Sequence, residues 1–97
     1  MAEIIRTSSD ELRDLVASCK KAAEELNAAI SHVEEITLEM SVLWEGAEAS
    51  ITRKHIKESI MSAMKLYELL NRTALQLDNM AGQYDAAEQE FYSSFFK

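Results

Sequence analysis

The chain has no proline, two glycines (Gly46 and Gly82) and one cysteine, Cys19, in 97 residues. A β-sandwich or barrel of this size needs a turn signal every ~8–12 residues, so the scarcity of breakers excludes those classes and leaves helices. One cysteine excludes an intrachain disulfide and any cysteine zinc cage. Basic residues are also few, 10 against 17 acidic ones, and the net charge of −7 argues against nucleic acid and anionic membrane as main partners. No run approaches the ~18 apolar residues of a membrane span. The first residues, Met1 to Arg6, lack the apolar stretch and small-residue cleavage site of a secretory leader, which on those grounds alone predicts a cytoplasmic protein. What is present, 47% hydrophobic and 28% charged residues, is the composition of one soluble globular domain.

The pattern of those hydrophobic residues is helical. Ser8 with Glu11 three residues later reads as a capping box that starts a first helix. Apolar residues then recur every seven positions at Leu12, Cys19, Leu26, Val33 and Met40. A second set, Leu15, Ala22, Ala29, Ile36 and Leu43, follows three residues on, and Val16, Ala23 and Ile30 widen the stripe on its other side. The spacing predicts one helix over about 8–43 and a turn over about 44–47, at Trp44-Glu45-Gly46. A second helix over about 48–88 carries the seam Ala49, Ile56, Ala63, Leu70, Leu77, Tyr84 and Phe91, flanked by Ile60, Tyr67, Ala74, Ala81 and Phe95. Gly82 costs that helix about 1 kcal/mol relative to alanine and predicts a kink or early fraying.

Two long helices joined by so short a turn make an antiparallel hairpin, with facing residues whose numbers sum to roughly 91. In that register Glu34, Glu35 and Glu39 face Arg53, Lys54 and Lys57, opposite signs at matching heights, and everything after Tyr84 overhangs. The second helix keeps a surplus of apolar residues outside its seam: Ile51, Met61, Met64, Leu69 and Leu75. That surplus predicts a second hairpin packed on the first, an all-α four-helix bundle, with Met61, Met64, Leu69 and Leu75 as interface candidates.

Catalytic chemistry is hard to place on a chain with almost no loop. His32 with Glu35, and His55 with Glu58, are three apart on helices, but both histidines sit beside the seam among charges and reverse the Glu-x-x-His order of bundle metal sites. A solvated helix face is the preferred reading, and Cys19 reads as a small seam hydrophobe. No enzyme activity, cofactor or metal is expected.

Two features exceed what a bundle requires. The only tryptophan stands two residues before a glycine, as Trp44-Glu45-Gly46, and Phe91, Tyr92, Phe95 and Phe96 crowd the last seven positions. With two long helices around a mid-chain Trp-x-Gly, the sequence resembles the WXG superfamily, hundred-residue helical hairpins exported by type VII secretion systems of Gram-positive bacteria and mycobacteria. Tyr84-Asp85-Ala86-Ala87-Glu88 matches the family's C-terminal Tyr-x-x-x-Asp/Glu element, and Phe91 and Phe95 match the hydrophobic positions that follow it.

The resemblance implies a non-enzymatic secreted protein, cytoplasmic before export and extracellular after it, exported folded as a dimer with itself or with a related WXG protein. It implies a composite signal for the membrane-bound secretion ATPase, in which Tyr84, Glu88, Phe91 and Phe95 of a tail over about 84–97 lie near the partner's Trp44 and Gly46 turn. The exported protein would act as an effector or virulence factor, or as escort for a larger co-secreted toxin. The alternative is a cytoplasmic helical dimerisation adaptor with no export role.

Overall fold

The computed structural model describes the backbone of residues 2–95 and the side chains of residues 9–95. Helix α1 spans Ala2–Leu43 and α2 spans Ala47–Phe95, packed against each other as a hairpin of 76 × 16 × 15 Å. Its length is that of α2 alone, since 49 residues at ~1.5 Å rise reach ~74 Å.

Helix α1 begins before the expected cap, so the backbone of Ser8 is already helical; its side chain lies outside the described residues. Capping residues start a helix only where something upstream stops it, and no glycine or proline lies between Ala2 and Ser8. At the other end α2 continues through Gly82 to Phe95 without a break, so the expected fraying there does not occur. The overhang is correspondingly shorter than the sequence implied. Helix α2 is seven residues longer than α1, about two turns, and the residues that run past α1 are those around Phe91 and Phe95 rather than everything after Tyr84.

The seam explains why these helices pair. Val16, Ala23 and Ile30 of α1 are buried against Ala49, Ala74 and Ala81 of α2, with Leu12, Cys19, Leu26, Ile56, Ile60, Ala63, Tyr67, Leu70 and Leu77 half-buried beside them. Alanines at the points of closest contact let the helices approach, and alternating steps of three and four residues keep each seam facing its neighbour.

The set Leu15, Ala22, Ala29, Ile36 and Leu43, expected in this seam, is exposed instead. Helix α1 carries three adjacent apolar lines, and one partner helix covers only two of them. The line through Leu12, Cys19 and Leu26 is flanked equally well on either side, so its seven-residue period does not tell which flank the partner takes. The hairpin takes the line through Val16, Ala23 and Ile30.

The turn consists of Trp44, Glu45 and Gly46. The Trp44 N–H donates to the Met40 carbonyl at 2.8 Å, closing α1, and the Gly46 carbonyl accepts from the Ser50 N–H at 3.0 Å, opening α2. Between these bonds Gly46 takes φ = 111°, a conformation side chains resist. A Cβ added at either glycine meets nothing within 4 Å, so substitutions there report backbone preference alone. Gly46→Ala is expected to cost about 1–2 kcal/mol through its strained φ. Gly82→Ala, in a helix interior, should stabilise by about 0.5–1 kcal/mol. Thermal melts should therefore move in opposite directions, by roughly 4–8 °C for each kcal/mol.

Candidate recognition surfaces

The residues singled out by the sequence fall at opposite ends of the molecule. Trp44 and Gly46 form the tip, where the Trp44 ring stays partly exposed and its carbonyl accepts a 3.2 Å hydrogen bond from Arg53 Nη1. Arg53 thus ties the first turns of α2 back to the turn, a contact that charge matching to Glu34, Glu35 and Glu39 did not reveal. Glu34, Arg53 and Lys57 do border one groove, together with Leu38, Met61 and Met64.

Tyr84, Glu88, Phe91 and Phe95 lie at the far end. Steps of four, three and four place them on one face of α2, and the helix continues far enough to make that face real. This line is the α2 seam itself, extended past Leu77 and Ala81 to where α1 runs out. Tyr84, Phe91 and Phe95 are exposed. The tail aromatics pack on one another: Phe91 stacks with Phe95 at 6.2 Å between ring centroids and meets Tyr92 edge-on at 5.9 Å. The overhanging residues thus find partners among themselves. Phe96 lies outside the described residues.

One polar cluster crosses between the helices near the tail, and sequence reasoning did not single it out. Ser9, the buried polar residue of the described chain at 2% exposure, donates from Oγ to Asp85 Oδ1 at 2.8 Å. Arg13 Nη1 donates to the same Ser9 hydroxyl at 2.8 Å, while Arg13 Nη2 is paired with Asp85 Oδ2. The signal was available: Ser9 stands on the seam spacing one step before Leu12, and the hairpin register places it within a turn of Asp85.

The Arg13 guanidinium, aided by the Ser9 hydroxyl, holds the Asp85 carboxyl below its ordinary value of 3.8; Asp85 in turn raises Arg13, with smaller help from Asp10 and Asp78. A lowered carboxylate value favours the fold above the unfolded value and loses that contribution only as pH falls through the lowered one. The difference in melting temperature between the parent chain and Asp85→Asn should therefore hold constant from pH 7 down to the ordinary carboxylate range. It should shrink only below that range.

The exposed surface divides into two unlike sides. On one side the third apolar line of α1, Leu15, Ala22, Ala29, Ile36 and Leu43, runs beside Thr52, Ser59, Leu66, Thr73 and Met80 of α2. None of these is charged, and a largely apolar groove lined by Ala29, Val33, Thr52, Ile56 and Ser59, with His55 at its edge, opens along it. On the other side Arg13, Lys20, Glu34, Lys57, Asp78 and Asp85 take the equivalent positions. Met61, Met64 and Leu75 belong to this charged side, whereas Leu69 turns toward the uncharged one. All four are exposed, at 52–62%.

Among the described residues no group of three or more His, Cys, Asp or Glu side chains is placed to hold a metal ion. His55 lies 3.9 Å from Glu58 on an open helix face, and Cys19 is half-buried in the seam. No helix among the described residues is long and apolar enough to cross a membrane.

A two-helix hairpin bearing Trp-x-Gly at its tip fits one class, the WXG-type helical hairpin. The chain is similar to Protein YukE of Bacillus subtilis (strain 168), 23% identical over 90 residues that cover 93% of each chain. No family model and no solved structure matches it.

Proposed function

We propose that this chain, over residues 1–97 as one unit, is a secreted substrate of a type VII secretion system that works by binding rather than catalysis. One juxtaposition carries the reading. The Trp44-x-Gly46 turn and the Tyr84, Glu88, Phe91, Phe95 stripe stand at opposite ends of a 76 Å hairpin. They meet only if a second hairpin lies antiparallel to the first, so a composite signal requires an antiparallel dimer.

The uncharged side supports that dimer. A two-helix unit buries too small a fraction of its surface to be well sheltered alone, and α1 offers a third apolar line with no cover from α2. Two copies carrying −7 each meet with least repulsion where neither side bears charge. The proposed interface is therefore Leu15, Ala22, Ala29, Ile36 and Leu43 with Leu66 and Met80, in place of the Met61, Met64, Leu69 and Leu75 set expected from the sequence. Leu69 lies at its rim, and Met61, Met64 and Leu75 remain outside it. The secretion ATPase reads the tail as an amphipathic helix end. The exported dimer acts as an effector or as escort for a larger co-secreted toxin.

Production of the chain in a Gram-positive host with an intact secretion system, beside a strain whose secretion ATPase is inactive, tests this directly. The chain should reach the culture supernatant only in the first strain. Retention in both, or release from both, rejects the reading.

A further inference from the structure

The hairpin is poorly protected against sliding at its open end. Its seam there is built from Ser9, Leu12, Val16, Leu77 and Ala81, where the small side chains of Ser9 and Ala81 interlock weakly. The turn that joins the helices lies at the opposite end of the molecule, so gentle bending along the helices dilutes its control. A buried polar residue in an apolar seam is the best attested device for fixing register, because a slip strands it without partners. Ser9 meets that description: its hydroxyl is enclosed, donates to Asp85 and accepts from Arg13.

We propose that Ser9, Arg13 and Asp85 form a register clasp that fixes the height and rotational phase at which α2 runs past α1, and so positions the stripe of Tyr84, Glu88, Phe91 and Phe95. Asp85 follows Tyr84 directly and lies within the Tyr84–Glu88 element, so one helical turn holds both the clasp and the start of the stripe. Successive residues on a helix are ~100° apart, and holding Asp85 against α1 therefore fixes the direction of its neighbour. All three are positioning residues. Their bearing on export rests on the reading proposed above, while the clasp itself does not.

Spin-label distances test it. In a Cys19→Ser background, nitroxides at Lys21→Cys and Gln89→Cys report the phase of the tail, and labels at Lys21→Cys and Glu48→Cys report the turn side. Labelled chain is diluted into unlabelled chain so that only intrachain distances contribute. The tail pair should give one narrow distance, broadened at least twofold by Ser9→Ala, Arg13→Met or Asp85→Asn, with the turn-side pair unchanged. Arg13→Met combined with Asp85→Asn should broaden it no further than either alone. Unchanged tail widths in all three variants, or equal broadening of both pairs, would overturn the clasp. If the tail broadens while export of the same variants stays normal, the clasp stands and the export-signal reading falls.

Discussion

Ile36→Glu is expected to convert the proposed dimer into a monomer, weakening association by more than 100-fold. Ile36 sits in the third apolar line of α1, 41% exposed in the isolated hairpin and outside its seam, so the substitution leaves the hairpin's own packing intact. A two-fold interface presents the same residue from both copies, so one substitution buries two unpaired carboxylates. Burying an unpaired charge costs several kcal/mol, and each 1.4 kcal/mol is a factor of ten. Light scattering should report a mass falling from about twice 11.0 kDa to 11.0 kDa, with the far-ultraviolet helical signal retained. Met61→Glu, on the charged side, is the matched control and should leave the dimer in place. Dissociation by Met61→Glu but not by Ile36→Glu would move the interface to the opposite side, onto Met61, Met64 and Leu75.

Export should be still more sensitive. Tyr84→Ala and Glu88→Ala are each expected to reduce the secreted amount to less than a tenth of the parent's, with no change in cellular level or helicity. Tyr84 is 36% exposed, and removing its ring deletes the first member of the tail stripe while leaving the buried alanines beneath it untouched. A receptor groove that reads a helix through anchors spaced four, three and four apart loses register as well as contact when an end anchor is removed. Immunoblots of supernatant and pellet decide the matter. Normal secretion of both variants would reject the signal assignment, whatever the outcome for the dimer.

Both expectations depend on what the sequence reveals and on what it leaves open. Helix identity was legible because a chain without proline has little means of stopping a helix, and Gly46 was legible as the turn because the pattern breaks there. The seam of α2 was legible as well, since only one set of seven-residue positions continues from Ala49 to Phe91. The seam of α1 was not, because the residues on either flank of Leu12, Cys19 and Leu26 are equally apolar. Periodicity places residues on a face but does not decide which of two equivalent flanks a neighbour occupies.

The Ser8 capping box misled for a different reason. The same local chemistry is compatible with a helix already under way, and only tertiary context separates the two. Ser9, Arg13 and Asp85 escaped notice because polar residues near a helix end look like solvent-facing ones until the register brings 9 beside 85. Nor could hydropathy reveal that the tail rings pack on one another.

Under the proposed function, the extension of the α2 seam past the end of α1 makes the tail a readout of folding. Tyr84, Glu88, Phe91 and Phe95 share a face only while α2 is helical, and in the proposed clasp the direction of that face is held by Asp85 against α1. An unfolded or half-closed chain carries the same letters without the same shape. A receptor selecting that shape, as the proposed export signal requires, would admit finished molecules and pass over nascent ones with no additional factor.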